Sequence, residues 1–295
     1  MKKQHYLKLI QKHFPKLKFQ KAKLLTHGWD HDVIILDNEI LFRFPKTKDY
    51  IKNFKDDLSL MDFLNEKTTL QIPKYTYIAK DKSFAGYKII KGKLFKRWVF
   101  EKISGFNRKK IAKQIAQFLN ELHGIPLSKI REFHVKEYNS IKELKSMQKN
   151  FKKKARQKLT LQERKVADKY FETCLKLDMK DVKKVFIHAD IHADNMVVKH
   201  DFSALAGVFD FSDKHIGDPA IDFAHLWNYG PKFVKEVYKH YKGSKDDELL
   251  YRAKLYFYWD AFGIMIESFK DIYDCEFEEG YRMFKGLKLP TKRHI

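Results

Sequence analysis

The sequence predicts an α+β chain of two lobes, a small antiparallel-sheet lobe followed by a larger, mainly helical one. Three observations carry this. Short apolar runs at 33–36, 40–44, 75–78 and 84–90, separated by turn residues, read as hairpin strands. From about residue 107 the apolar residues recur at helical spacing instead. Between 185 and 213 the pattern reverts to three short apolar runs around a polar loop, with acids gathered at one end. The boundary is expected near Gly92, giving lobes of 1–91 and 92–295.

Taken in order, Tyr6, Leu7, Ile10 and Phe14 lie at helical spacing, and Pro15 stops that helix. A Gly-bearing loop around Gly28-Trp29-Asp30 separates the first two strands, and Asp37-Asn38 supplies the next turn. A helix is expected over 49–65, with Ile51, Phe54, Leu58, Met61 and Leu64 inward. Ile111, Ile115, Phe118, Leu119 and Leu122 mark a helix over 107–123 that Gly124 and Pro126 end. Helices are expected next over 136–158 and 161–177. After the strands comes Gly217-Asp218-Pro219, where Asp218 caps a helix over 220–227 and Pro219 takes its first turn. Helices near 231–242, 246–269 and 276–286 close the chain.

A chain of 295 residues, 44% of them hydrophobic, has ample material for a packed core, and its longest apolar runs fall short of a membrane span. Two cysteines, Cys174 and Cys275, form no disulfide framework and no metal-ligand spacing. A cytoplasmic setting and a monomer are expected, with no membrane partner. The net charge of +22 raises the question of a polyanion partner. Lysines spread along nearly the whole chain, with arginine scarce, read better as solvated helix faces, so nucleic acid is not expected as a partner.

The chemistry concentrates in one stretch. Asp190 and Asn195 share the loop after the run 185–187, and Asp210 ends the run 205–209. Two carboxylates and an amide oxygen make a hard-oxygen set suited to Mg²⁺, too sparse for a closed structural site and apt for a metal that arrives with phosphates. Arg43, in the apolar strand Leu41-Phe42-Arg43-Phe44, is a cation that faces solvent at an edge or meets a buried anion. Asp57 lies beside the apolar face of the 49–65 helix, within reach of Arg43. His188, two residues before Asp190, reads as a buttress of the loop, and His192 stays unassigned.

His188-Ala189-Asp190-Ile191-His192-Ala193-Asp194-Asn195 resembles the catalytic loop of the aminoglycoside phosphotransferase family, small-molecule kinases on a bilobal protein-kinase-like fold, the 2″-phosphotransferases among them. Val208-Phe209-Asp210-Phe211-Ser212-Asp213 and Gly217-Asp218-Pro219-Ala220-Ile221-Asp222-Phe223 match the elements that follow it there. Gly28-Trp29-Asp30 and Phe42-Arg43-Phe44-Pro45 match the glycine loop and the cation strand. The resemblance implies a Mg²⁺-dependent kinase using ATP or GTP. Asp190 is then the catalytic acid, Asn195 and Asp210 the metal ligands, and Gly28 part of a loop over the phosphates. Arg43 stands where the family's lysine holds the phosphates, and Asp57 where a helix glutamate pairs with it. Lys88, Ile89 and Ile90 form the hinge that meets the purine, and Asp222 hydrogen-bonds the catalytic loop.

The acceptor is a small-molecule hydroxyl, and the resemblance implies an aminoglycoside and a role in antibiotic resistance. Acids of the helical lobe would then meet the drug's ammonium groups. Asp213, Asp260, Glu267 and Asp271 are the candidates, with Trp259 as an apolar wall. Lys232 and Lys235 stand where such a pocket wants acids, and a chain of +22 repels a polycation at long range. Macrolides, choline and sugars are the alternative acceptors. A non-catalytic basic binder on a kinase fold is the alternative outside enzymes, but it would have lost Asp190, Asn195 or Asp210.

Overall fold

A computed structural model describes residues 2–26, 31–270 and 275–291, and for 48–53 the backbone alone. Helix α1 (Lys2–His13) precedes an antiparallel sheet of β1 (Ala22–Leu25), β2 (His31–Leu36), β3 (Ile40–Pro45), β4 (Tyr75–Ile78) and β5 (Ala85–Lys88). The strand order is β1-β2-β3-β5-β4, and α2 (Lys48–Lys67) links β3 to β4. Asp37 and Asn38 turn β2 into β3 with φ of 50° and 54°, as a tight hairpin turn of this hand requires. Ile10 of α1 packs with Ile34, Phe42, Phe44 and Phe84 on one face of the sheet. The Asp32 carboxylate is almost fully buried, a costly state for an anion unless cations and donors meet it. Lys2 Nζ and Tyr6 Oη do so, each at 2.6 Å, and tie α1 to β2.

The rest of the chain is mainly helical. Strand β6 (Lys93–Leu94) leads to α3 (Arg97–Lys102), α4 (Gly105–His123), α5 (Leu127–Arg131), α6 (Ser140–Lys154) and α7 (Leu161–Leu175). Four short strands follow, β7 (Val185–Ile187), β8 (Met196–Val198), β9 (Leu205–Val208) and β10 (His215–Gly217). β10 pairs with β7, while β6, β8 and β9 form a second small sheet. Then come α8 (Ile221–Ala224), α9 (Pro231–His240), α10 (Leu249–Tyr256), α11 (Trp259–Glu267) and α12 (Phe277–Lys285). Among the described residues no helix is long and apolar enough to cross a membrane.

Helix α4 shows why this region holds together. Ser104 caps it by accepting from the Asn107 amide at 3.2 Å, and Ile111, Ile115, Phe118, Leu119 and Leu122 are all essentially buried. Each such side chain contributes about 1.5–3 kcal/mol on burial. The stripe packs against β7, β9 and α9 and so forms the floor beneath the strands that carry the acids.

Several expected helices are cut differently. The helix expected over 136–158 starts at Ser140, because Glu137 bridges to Ile216 and the Asn139 side chain caps the helix by accepting from the Lys142 amide at 3.0 Å. The one expected over 220–227 is a four-residue helix followed by a 3-10 turn, His225–Tyr229, which Gly230 ends at φ 92°. The 246–269 helix breaks at Phe257-Tyr258: α10 sends Leu249, Leu250, Ala253 and Tyr256 to the core around α4 and Tyr251 and Leu255 to the core of α6, α7 and α12, whereas the buried residues of α11 serve the second core. Asp218 does not cap a helix with its full carboxylate. Its Oδ1 accepts from the Ala220 amide at 3.0 Å, but both oxygens also bind Arg252. The short helices α3 and α5 carry too little periodicity to be seen in sequence.

Packing also mixes the two regions. Leu60, Met61, Leu64, Leu70 and Ile72 belong to the large core of the helical region, although they precede Gly92. At that junction Gly92 has φ 152°, and a Cβ there would lie 2.2 Å from the Val198 carbonyl oxygen. Only glycine fits so close to β8. Gly207 is equally constrained: a Cβ would lie 2.3 Å from the Gln71 carbonyl. The connection into the helical region thus runs directly behind the strands that bear the acids.

Candidate active site

The loop His188–Asn195 is held from below by one carboxylate. Asp222 of α8 is buried, and its oxygens accept from the amides of His188 (3.0 Å) and Ala189 (2.6 Å). Ala189 adopts φ 68°, a left-handed conformation that costs an alanine about 1–2 kcal/mol. The Asp222 hydrogen bonds offset that strain. His123 of α4 donates from Nε2 to Asp222 Oδ2 at 2.9 Å, and its Nδ1 accepts from Tyr241 Oη at 2.7 Å. Burial would raise the Asp222 pKa, but these partners outweigh it and hold the carboxyl below the usual range.

His188 is a buttress in geometry. Its Nδ1 accepts from the Asp190 amide at 3.2 Å, so the proton sits on Nε2, which donates to the Phe209 carbonyl at 3.2 Å. Burial lowers its pKa, which keeps the ring neutral and this pair of bonds intact. The loop after β7 and the end of β9 are thereby locked together. A further bond, from the Phe209 amide to the Asn195 carbonyl at 2.9 Å, closes the same seam.

Within this frame Asn195 Nδ2 donates to Asp190 twice, to the carbonyl at 3.0 Å and to Oδ2 at 2.6 Å. Both its hydrogens are then committed, and its Oδ1 is the atom left for a cation. Two imidazoles flank the other oxygen of Asp190: His192 Nε2 lies 3.3 Å from Oδ1 and His225 Nε2 4.0 Å. His225 Nδ1 in turn lies 3.4 Å from Asp260 Oδ2. Burial alone would lower the His192 pKa, but the hydrogen bond to Asp190 and the neighbouring carboxylates raise it. Asp194 pairs with Lys96, which tethers the loop to the start of α3.

Asp210 follows β9 with φ 62° and faces Arg43 of β3, whose Nη2 donates to Asp210 Oδ1 at 3.1 Å and to Ser212 Oγ at 2.7 Å. Ser212 Oγ also donates to Asp210 Oδ1 at 2.8 Å. Burial would raise the Asp210 pKa, but the guanidinium and the Ser212 bonds bring it down to about 2. Arg43 Nη2 also donates to His31 Nδ1 at 3.1 Å, which fixes the His31 tautomer because a guanidinium only donates. Burial and the Arg43 charge push the His31 pKa down to about 3.

The expected pairing of Arg43 with Asp57 is not the one the structure makes. Asp57 Oδ1 binds Lys214 Nζ at 2.6 Å, while Arg43 reaches across to Asp210. A long, buried guanidinium on β3 meets the depressed acid of the next region, and Lys214, just past Asp210, takes the helix acid in its place. Ser212, Lys214 and His225 are site residues that sequence reasoning missed. Ser212 and Lys214 sit two and four residues past Asp210, which was the only available signal.

Gly28, with Trp29 and Asp30, lies outside the described residues, as does Asp271. Lys88 ends β5 at the surface and Ile90 is buried. The Ile89 amide already donates to the Glu39 carbonyl at 2.8 Å, which takes that N–H away from a purine. Asp260 is brought to the 188–195 loop through His225, and the Trp259 ring beside it lies 4.5 Å from the Tyr256 ring. The Trp259 indole N–H is buried without a hydrogen-bond partner among the described residues. Glu267, two turns further along α11, is neutralised by Lys270 at 2.5 Å, and Asp213 is exposed. Asp210 and Asn195 can supply two oxygens to Mg²⁺, a fit for an ion that keeps waters and phosphates as its other ligands. No group of three or more His, Cys, Asp or Glu side chains among the described residues could hold a metal by itself.

An antiparallel sheet over a helical region, with an acid-bearing loop between short strands, defines a phosphotransferase of the kinase-like class. The chain belongs to the APH phosphotransferase enzyme family, whose model matches residues 21–256. It is similar to the GDP complex of wild-type aminoglycoside 2'-phosphotransferase-IIIa, at 21% identity and a TM-score of 0.84, over 97% of this chain and 98% of that one. It is also similar to the streptomycin–ATP–APH(2″)-IIa ternary complex, at 22% identity and a TM-score of 0.71, over 97% and 96%. Macrolide 2'-phosphotransferase type I matches at 14% identity and a TM-score of 0.72, over 98% and 97%. At these identities the likeness establishes the fold.

Proposed function

We propose that the protein is a Mg²⁺-dependent small-molecule kinase that transfers the γ-phosphoryl group of ATP or GTP to a hydroxyl of an aminoglycoside. It would act in the cytoplasm as a monomer, with nucleotide between lobes 1–91 and 92–295, and confer resistance to the drug. The observation that supports this best is that Arg43 of β3 meets Asp210 after β9, while Asn195 holds Asp190 on the adjoining loop, which the Phe209–Asn195 bond ties to Asp210's strand end. In this reading Asp190 Oδ1 accepts the hydroxyl proton, and Asn195 holds Oδ2 so that the carboxylate presents the other oxygen. Bound Mg²⁺, on Asp210 and Asn195, would neutralise charge on the phosphates. Arg43 exchanges its contact with Asp210 for the phosphate oxygens as nucleotide enters, a swap between like oxyanions that a planar guanidinium makes well.

Support for an aminoglycoside comes from the family, from relatives solved with kanamycin and gentamicin, and from Asp213 on the helical side. A second reading, a macrolide hydroxyl, is favoured by one observation: the net charge of +22 opposes a polycationic acceptor far more than a macrolide. The two separate in a panel crossing ATP and GTP with aminoglycosides, macrolides, choline and sugars, read by thermal shift and turnover. A bound acceptor stabilises the protein by mass action, about 2.7 kcal/mol at a hundredfold excess over Kd. Kanamycin-class compounds should both shift the melting point and accept phosphate. If macrolides alone do so, the acceptor assignment changes, and if no compound turns over with either nucleotide, the kinase reading fails.

A further inference from the structure

We propose that His225 is a positioning residue that couples Asp260 to Asp190 and fixes the orientation of the Asp190 carboxylate, so that Asp260 serves the catalytic acid rather than the substrate. This rests on the reading of Asp190 as the acceptor-facing carboxylate.

His225 opens the 3-10 turn after α8, three residues beyond Asp222 and thus one helical turn along the same segment. Asp222 grips the backbone of the catalytic loop at His188 and Ala189. His225 reaches the side chain of the same loop, with Nε2 4.0 Å from Asp190 Oδ1. One rigid segment therefore sets both the backbone and the acid of the loop. The side chain of His225 is 13% exposed, so the imidazole is held by packing and does not sweep through solvent.

Asp260, in the first turn of α11, places Oδ2 3.4 Å from His225 Nδ1. An imidazole has one edge nitrogen for each carboxylate, and the ring here spans the two acids. Asp190 has a soft terminal torsion, since carboxylate rotamers about that bond are broad. Asn195 pins Oδ2 at 2.6 Å, and His192, whose ring centroid lies 5.5 Å from that of His225, flanks Oδ1 at 3.3 Å. His225 closes the remaining side. At 3.4 and 4.0 Å these contacts are longer than hydrogen bonds, and contacts at catalytic carboxylates commonly shorten once substrate is bound. Asp260 so engaged is not free to pair with an ammonium group of the acceptor.

The two roles of Asp260 differ in kinetics. As a support it affects kcat, and as a substrate contact it affects KM. The test compares His225→Ala, His225→Gln, Asp260→Asn and the His225→Ala/Asp260→Asn double variant, with the best acceptor of the panel and with water as acceptor in nucleotide hydrolysis. The expected result is a loss of about tenfold to a hundredfold in kcat for His225→Ala and Asp260→Asn, at nearly unchanged acceptor KM. The double variant should be no worse than His225→Ala, because both act through one contact chain, and His225→Gln should recover part of the loss. A raised acceptor KM at intact kcat for Asp260→Asn, additive with His225→Ala, overturns the proposal. A readout independent of turnover is the long-range ¹H–¹⁵N spectrum of the His225 ring. Asp190→Asn and Asp260→Asn should each shift its nitrogens. If Asp260→Asn shifts them and Asp190→Asn does not, the coupling is absent even in an active enzyme. If both shift them and no acceptor turns over, the functional reading fails while the coupling stands.

Discussion

Arg43 is the residue on which the electrostatics of the site turn. It is buried in a strand of apolar neighbours and meets Asp210, Ser212 and His31 at once. Its charge keeps Asp210 ionised and, after burial, is the next cause that keeps His31 neutral. The consequences for acid stability have a definite sign. His31 has a folded pKa near 3, below the ordinary histidine value, so on acidification the unfolded chain takes up the proton first. The stability from a neutral His31 is fully present above about pH 6.5. It is lost as pH falls from there towards 3, with a slope of about 1.4 kcal/mol per pH unit for one proton. Asp210, with its folded pKa depressed to about 2, adds a contribution present above the usual carboxylate range and lost as pH falls through about 2. Chemical denaturation as a function of pH checks both, and His31→Gln should remove the first slope. In Arg43→Met the His31 ring should titrate well above 3 by NMR; an unchanged titration would mean burial alone sets it.

Among single residues, Asp190, Asn195 and Asp210 were legible in the sequence for a simple reason. Asp190 and Asn195 share one loop five residues apart, so the local chain decides their geometry, and Asp210 ends the neighbouring strand. The partners of Arg43 and Asp57 were not legible. Arg43 has a cation's choice of acids, and only the packed structure shows that it takes Asp210 while Lys214 takes Asp57. His225 was hidden for the same reason, since its distance from Asp190 is set by how α8 packs on α10 and grips the loop through Asp222.

At the scale of elements, the short segment from β10 through α8 organises the site. Asp218 opens it and is bound in a fork by Arg252 of α10, with Nε and Nη2 at 2.7 and 3.0 Å, and by Tyr256 Oη at 2.9 Å. Arg252 is itself 1% exposed and binds Asp246 as well. A pair this deep contributes little relative to an apolar replacement of both partners, but losing one partner strands a buried charge. Arg252→Ala should therefore cost about 3–5 kcal/mol in equilibrium unfolding. It should loosen the 218–225 segment and with it the loop that Asp222 and His225 hold. Asp218→Asn/Arg252→Met should be far milder than either single loss. Equal costs for the single and double variants would show that the pair is not the anchor. Helix breaks belong to this scale too: the separation of α10 from α11 was invisible to periodicity, because apolar residues continue through it, and it falls where the chain passes from a helix that touches both cores to one whose buried residues serve the second.

At the scale of the molecule, residues 60–72 join the core of the helical region, and Gly92 and Gly207 let the connecting chain pass close behind β8 and β9. The cation strand and the acids are thus brought face to face by a packed junction and by the Arg43 contact. The lobe order was legible from the switch in periodicity, whereas this shared core was not, since residues 60–72 look like any apolar helix end. The charge of +22 acts at this scale as well. It attracts a nucleotide anion at long range, and salt screens that attraction over about 8–10 Å at physiological strength. The on-rate for ATP or GTP should fall as ionic strength rises from 20 to 300 mM in stopped-flow binding, by about threefold or more. A salt-independent rate would mean the surface lysines play no part in capture.

The central claim is that Asp190 carries phosphoryl transfer in a site otherwise built to hold nucleotide. The most direct measurement is single-turnover transfer of γ-labelled phosphate from Mg²⁺–nucleotide to the best acceptor of the panel, in the wild type and in Asp190→Ala. Melting point and nucleotide Kd are measured on the same samples. The account predicts a transfer rate lower by about 10²–10⁴, with fold and nucleotide binding retained. Wild-type transfer by folded Asp190→Ala would contradict it.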